Sequence, residues 1–151
     1  MDAVKFIAYS ESLLNRAAVL LAFEQVGGAD RALEITKEFT MGRYAFGRPV
    51  ASFQVLKNRM VDWYGAIELA RSNAYYGAWA LHHDNEELAV AACIARVAAC
   101  EAIDLAGDEI IQMLCGVVFT WLLLLPVVCR CTLHFGGLAT CLLYTSPSPR
   151  D

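Results

Sequence analysis

Between Phe6 and Phe39 apolar residues return every three or four positions, with Ile7, Leu14, Ala18, Leu21, Ala32, Ile35 and Phe39 on a broadly common face and few β-branched runs. The spacing predicts one long helix. Gly27 and Gly28 fall inside it, and because each costs about 1 kcal/mol relative to Ala there, they are expected where a neighbour packs closely against the helix. The segment "FGRPVAS" then supplies Gly47 and Pro49, a turn signal. A second helical pattern follows through Phe53, Leu56, Met60, Trp63, Ile67, Ala70, Ala74, Ala78 and Leu81. The polar cluster "HHDNEE" interrupts it. Asp84 or Asn85 is suited to cap a third helix whose first turn carries Glu86 and Glu87 and whose apolar stripe runs through Leu88, Ala92, Ala95, Ala99, Ile103 and Ala106. Three long consecutive helices with short connections and Ala-rich faces predict an all-α, up-and-down bundle.

Charge divides the chain in two. From Met1 to Glu109 ten Lys/Arg face fifteen Asp/Glu, whereas Ile110 to Asp151 holds only Arg130, Arg150 and Asp151 and four of the six cysteines, Cys115, Cys129, Cys131 and Cys141. The mean hydropathy of +0.43 and the 58% hydrophobic content average over these unlike parts. An acidic balance without a basic stripe disfavours nucleic acid. "MDAVKFIAYSESLL" shows no signal-peptide pattern, so the cytoplasm is expected. "CRC" lacks zinc-site spacing, and the cysteines read as free thiols. His82, His83, Asp84, Glu86 and Glu87 read as a solvated capping loop in preference to a metal site.

Three motifs in order carry a family resemblance: "VGGADRALEITKEFTMGRYAFG" with its R-x-x-F-G ending, Phe53-Gln54 eleven residues beyond Arg43, and "IIQMLCGVVFTW", similar to a degraded Q-x-L-G-G-x-G-F. Together they resemble the C-terminal four-helix bundle of the acyl-CoA dehydrogenase family, over about two thirds of this chain. The resemblance implies an FAD-dependent oxidoreductase of acyl-CoA metabolism that dehydrogenates an acyl-CoA thioester between its α and β carbons. Electron-transfer flavoprotein or a similar protein is the implied acceptor. It also implies roles. Arg43 would pair with the pyrophosphate of FAD, Phe46 would pack on a flat ring, Gln54 would donate and accept hydrogen bonds, and Gln112 and Gly116 would meet the opposite end of the cofactor. In the family this segment reaches a flavin held mainly by the other subunit, so a dimer or dimer of dimers is implied, homo- or hetero-oligomeric. Taken singly, each residue reads more simply as structure: Arg43 as a helix C-terminal cation, Phe46 as a core plug, Gln54 as a helix-start polar group. Their order and spacing favour the cofactor.

The family's chemistry needs a carboxylate base over the substrate. Its position lies either on the first bundle helix or after the fourth. Aligned through Gly27, the first of these is Ala17, which cannot ionise; Glu11 and Glu24 are off that position and read as exposed-face charges. The second lies in a region this chain does not contain. The catalytic residue is therefore unknown. An Ala at this position suits a second reading, a non-catalytic subunit of the same fold that completes a partner's flavin site.

Beyond Gln112 the pattern degrades. Cys115 and Val118 stand where glycines are expected, Leu122 where the family branch with "FTW" continues with Glu, and Arg130 alone stays recognisable. Glycines let backbone approach phosphate closely, which a β-branched Val resists. Ile110 to Cys129 carries no charge over twenty residues, long enough to cross a bilayer, which makes a small membrane-anchored helical protein a third reading. Such a span would start inside the third helix and bury Gln112 and Pro126 in lipid, so corrupted sequence is preferred. "CLLYTSPSPRD" reads as the translation of a transposase adapter used in sequencing libraries. The expected division is therefore a partial bundle over 1–121, an unassigned or corrupted segment over 122–140 and an adapter-like tail over 141–151. On this reading the gene is truncated near Thr140, and Met1 is internal to a longer protein.

Overall fold

Alanine decides how closely these helices approach. The computed structural model describes residues 3–83 and 87–114. They form α1 (Ala3–Gly42), a two-stranded hairpin of β1 (Tyr44–Ala45) and β2 (Arg48–Pro49), a short 3-10 turn (Val50–Ser52), α2 (Gln54–His82) and α3 (Leu88–Leu114). The all-α bundle expected from the spacing is present, and the three helices start and stop close to the expected positions. Asp84, Asn85, Glu86 and everything after Leu114, the place of a fourth helix included, lie outside the described residues.

The helices run up, down and up. The Phe23 and Tyr75 rings meet edge to face at 5.4 Å, and Arg71 pairs with Asp30 at 3.0 Å, which sets α1 antiparallel to α2. Arg59 against Glu109 and Tyr76 against Glu87 set α2 antiparallel to α3. In the latter the Tyr76 hydroxyl donates to Glu87 Oε2 at 2.8 Å, and that bond to a carboxylate pushes the phenol pKa up. α3 therefore runs parallel to α1, and Gln25 meets Arg96 and Cys100 across that seam.

The seam between them is built from small residues. Ala22, Ala29 and Ala32 of α1, Ala70, Ala74 and Ala80 of α2, and Ala91, Ala92, Ala95, Ala99, Ala102 and Ala106 of α3 are buried, and Trp63, Ile67, Ile103 and Ile110 fill the wider gaps. Such packing departs in part from the expected faces. On α1 the core stripe is Val19, Ala22, Val26, Ala29 and Ala32; Leu21, Ile35 and Phe39 flank it, and Leu14 is 67% exposed. The closest approach is only alanine-wide, so the large side chains move to its edges. With Gly28 beside Ile103, Leu14 comes level with the first turn of α3, and the turns before it pass beyond that helix. On α2 the stripe runs from Ala74 to Gly77 and Ala80, leaving Ala78 and Leu81 half-buried.

The two central glycines divide. A Cβ on Gly28 would sit 3.3 Å from Ile103 Cδ1, so close packing holds there; Gly27 is exposed and meets nothing within 4 Å. Gly77 is the tightest point, where a Cβ would lie 3.3 Å from Val19 Cγ2 and 3.4 Å from Ala95 Cβ, between both neighbouring helices. Two buried hydroxyls find partners along their own helix: that of Thr36 donates to the Ala32 carbonyl and that of Thr40 to the Thr36 carbonyl, both at 2.8 Å. Ile110, Met113 and Leu114, the start of the uncharged run, are buried in this core, and among the described residues no helix is long and apolar enough to cross a membrane. Cys93 and Cys100 are free thiols; Cys115, Cys129, Cys131 and Cys141 lie outside the described residues.

Two measurements check this packing. Gly77→Val should lower unfolding stability by about 1–3 kcal/mol through overpacking, while Gly27→Ala, facing open space, should raise it by roughly 0.5–1 kcal/mol; denaturant titration reads both. On α3, partial burial and then the Asp108 charge four residues on hold the Asp104 carboxyl pKa above its ordinary 3.8. A raised acid binds its proton more tightly in the folded state, so its contribution is favourable below that value and is lost as pH rises through the folded pKa. Asp104→Asn should therefore stabilise at pH 7 by about 0.2–0.5 kcal/mol, the scale of a like-charge pair at this spacing, with the gain vanishing below pH 3.8.

Candidate functional site

The loop between α1 and α2 is fixed by backbone before any side chain acts. The Arg43 N–H donates to the Phe39 carbonyl at 3.1 Å, and the Val50 N–H donates to that of Arg43 at 2.8 Å. Between them Tyr44 opposes Pro49 and Ala45 opposes Arg48, which leaves Phe46 and Gly47 as a two-residue loop. Both have positive φ, +54° and +76°. This is the combination a type I′ hairpin requires, matched to the right-handed twist of its strands. Glycine accepts that geometry freely. Phenylalanine does not, and a bulky residue in the left-handed region carries strain of about 1–2 kcal/mol.

Phe46 is also 96% exposed. The R-x-x-F-G motif thus becomes a rigid hairpin that holds an aromatic ring out to solvent, and a core plug is excluded. Among the described residues its ring meets that of Phe53, edge to face at 6.3 Å. Arg48, which the sequence reasoning did not single out, lays its guanidinium 4.0 Å from the centroid of Phe53. Its only signal was its place immediately after the turn. Arg43 follows the end of α1 with its guanidinium 5.8 Å from the Phe39 ring and is exposed, so the helix-end position and the outward cation coexist.

Gln54 is the exposed first residue of α2, whose preceding residue Phe53 gives no side-chain cap. That leaves the positive end of the helix dipole open. Residues 43–61 carry Arg43, Arg48, Lys57 and Arg59 and no acid, within a chain of net charge −4. Gln112 is exposed on the last turn of α3. Because α3 runs antiparallel to α2, that turn lies at the same end of the bundle as the hairpin and the start of α2. Four candidates, Arg43, Phe46, Gln54 and Gln112, are therefore gathered at one end; Gly116 lies outside the described residues. As a chemical surface this end offers a flat aromatic face, guanidinium cations and side-chain amides, a set matched to a flat, anionic, hydrogen-bonding ligand.

Ala17 sits far away. It is exposed on α1, and the twenty-six residues from it to Arg43 correspond to about 39 Å of helix. Glu11 and Glu24 are exposed, as expected of solvated charges. Near the hairpin end the buried carboxylate is Glu109, paired with Arg59 across fifty residues of sequence, a contact that no local pattern announced.

The model of the acyl-CoA dehydrogenase C-terminal domain matches residues 7–130. The chain belongs to the acyl-CoA dehydrogenase family. Members of this family are FAD-dependent flavoprotein oxidoreductases. Among curated relatives, acyl-CoA dehydrogenase IpdE2 of Mycobacterium tuberculosis is 42% identical over 109 residues, covering 72% of this chain and 32% of its own length. The chain thus spans about a third of that acyl-CoA dehydrogenase. Among solved structures, butyryl-CoA dehydrogenase from Megasphaera elsdenii superposes with a TM-score of 0.79 at 21% identity, over 88% of this chain and 38% of that one. The ChsE4-ChsE5 complex from Mycobacterium tuberculosis gives 0.75 at 21% identity, over 94% of this chain and 40% of the other. These two likenesses show the acyl-CoA dehydrogenase fold.

If the strained hairpin serves ligand binding and not the fold, Phe46→Asn should stabilise the unliganded chain by about 1 kcal/mol, since Asn tolerates the left-handed region. Thermal unfolding measures it. A loss of stability would show that Phe46 supports the bundle.

Proposed function

We propose that this chain is the C-terminal helical part of an FAD-dependent acyl-CoA dehydrogenase, and that Arg43, Phe46, Gln54, Gln112 and Gly116 form one edge of a flavin site in an oligomer. The observation that carries the reading is the solvent-presented Phe46 on a strained hairpin among unneutralised arginines. A fold does not keep such a ring outside for its own stability. The donor set fits FAD: guanidinium for pyrophosphate, an aromatic face for a planar ring system, amides for polar edges.

Distance supports the division between subunits. A base at the position of Ala17 would lie about 39 Å along α1 from Arg43, so the hairpin and that position serve different active sites. The hairpin then reaches toward a flavin held by another subunit, which makes a dimer or tetramer the working unit. Within that site Arg43 would hold the pyrophosphate charge, Phe46 would exclude water from one ring face, and Gln54 and Gln112 would orient the cofactor through hydrogen bonds. FAD, when bound, supplies the acceptor for hydride from the β carbon of an acyl-CoA, and electron-transfer flavoprotein or a similar acceptor reoxidises it. The proton on the α carbon needs a carboxylate this chain does not provide at Ala17.

That missing carboxylate favours a second reading, a non-catalytic subunit of the same fold completing a partner's flavin site. The similar fold in the ChsE4-ChsE5 complex is consistent with two-component assemblies. The two readings share the flavin edge and differ in the base.

The edge is tested in the full-length protein carrying this segment. Arg43→Ala should weaken FAD retention by about 1.5–3 kcal/mol, the loss of one charge-assisted contact, measured by flavin titration of the apoprotein. Unchanged flavin affinity would remove Arg43 from the site.

A further inference from the structure

We propose that the Arg59–Glu109 ion pair is a positioning element that holds Gln54 and Gln112 level with each other, so that both amides meet one cofactor. The inference rests on reading those two glutamines as flavin contacts.

Arg59 Nε donates to Glu109 Oε1 at 3.1 Å and lies 3.0 Å from Oε2. Glu109 is only 8% exposed, whereas the Arg59 side chain is 41% exposed, so the carboxylate is the fixed end and the guanidinium the reaching one. Oε2 has no hydrogen bond. A carboxylate buried in this way is costly without its cation, so α2 cannot move along α3 without either dragging the pair or exposing the charge.

From this crossing point the register follows by helix geometry. Gln54 is five residues before Arg59, about 7.5 Å toward the hairpin end, and Gln112 is three residues after Glu109, about 4.5 Å toward the same end. The two amides therefore end up within about one helical turn of a common level. The seam beneath them is built from Leu56, Met60 and Trp63 of α2 and Ile110, Met113 and Leu114 of α3, and such apolar contacts are non-directional, burying area without fixing which polar group meets which. Near this end the ion pair is a directional contact between α2 and α3. Its benefit is geometric, since an exchange for apolar residues of similar volume need not lower stability.

A double-mutant cycle in the full-length protein tests the proposal, with FAD affinity of the apoprotein as the readout and its thermal midpoint measured alongside. Glu109→Gln keeps the volume and removes the charge, so it leaves no uncompensated buried anion. It should weaken FAD binding roughly fivefold, the scale of one misaligned hydrogen bond. In the Gln54→Ala/Gln112→Ala background the same substitution should change affinity less than about twofold, because the groups it positions are gone. Arg59→Lys, which keeps a cation facing the carboxylate, should stay near wild type and serves as the partner variant if Glu109→Gln does not fold. An equal loss in both backgrounds, or a lowered thermal midpoint with unchanged FAD affinity, would make the pair merely structural and overturn the proposal. Absence of FAD binding by the wild-type protein would instead overturn the flavin reading and this inference with it.

Discussion

Close approach of three helix backbones along an alanine seam is the constraint on which the rest of this molecule depends. At Gly77 even a methyl group would press on α1 and α3 together. α3 contributes six buried alanines between Ala91 and Ala106 and can therefore lie against both neighbours at once. The cost of such a seam is lost specificity, because alanine offers little interlocking relief and many registers bury similar area. Register must come from elsewhere. It comes from a few directional contacts: Gln25, which accepts from Arg96 Nη1 at 2.6 Å and donates to Cys100 Sγ at 3.5 Å, ties α1 to α3, and Arg59–Glu109 and Tyr76–Glu87 tie α2 to α3 near its two ends. The small residues thus bring the helices together, and the polar contacts set where along their lengths they stop.

That division of labour decides what could be read in advance. Periodicity located all three helices, because a buried stripe leaves its period in the sequence whatever it packs against. It misplaced part of the face on α1, where Leu14 fits the helical repeat but lies level with the start of α3 and stays exposed. A repeat records only that something is buried, not how far the neighbouring helix extends. Gly27 and Gly28 show the same limit from the other side: two adjacent glycines look equivalent in sequence, yet a step of about 100° around the helix points one at Ile103 and the other at solvent.

The candidate site was legible to a different degree. Arg43, Phe46 and Gln54 were singled out through motif order, and the structure gives them a common location with Gln112 that no periodicity contained. The local backbone was not legible. "F-G" is a weaker signal for a type I′ loop than Asn-Gly or Asp-Gly, since phenylalanine opposes the required φ. Arg48 escaped notice because its role depends on the hairpin folding it back over Phe53. Glu109 escaped because its partner is fifty residues away, on another helix.

The residues that break local rules cluster at one end. Phe46 adopts a left-handed backbone and exposes its ring, α2 begins without a side-chain cap, and Arg43 and Arg48 flank the turn without an ion pair among the described residues. Each departure alone lowers the stability of the isolated chain: strain at the turn, a helix start without a side-chain cap, two guanidinium cations close together. All three would be relieved by the same kind of occupant, a flat and anionic molecule that covers the ring, accepts from the helix start and neutralises the guanidinium groups. Departures that meet at one end of the bundle agree with the proposed flavin edge, because departures caused by folding alone have no reason to share one remedy.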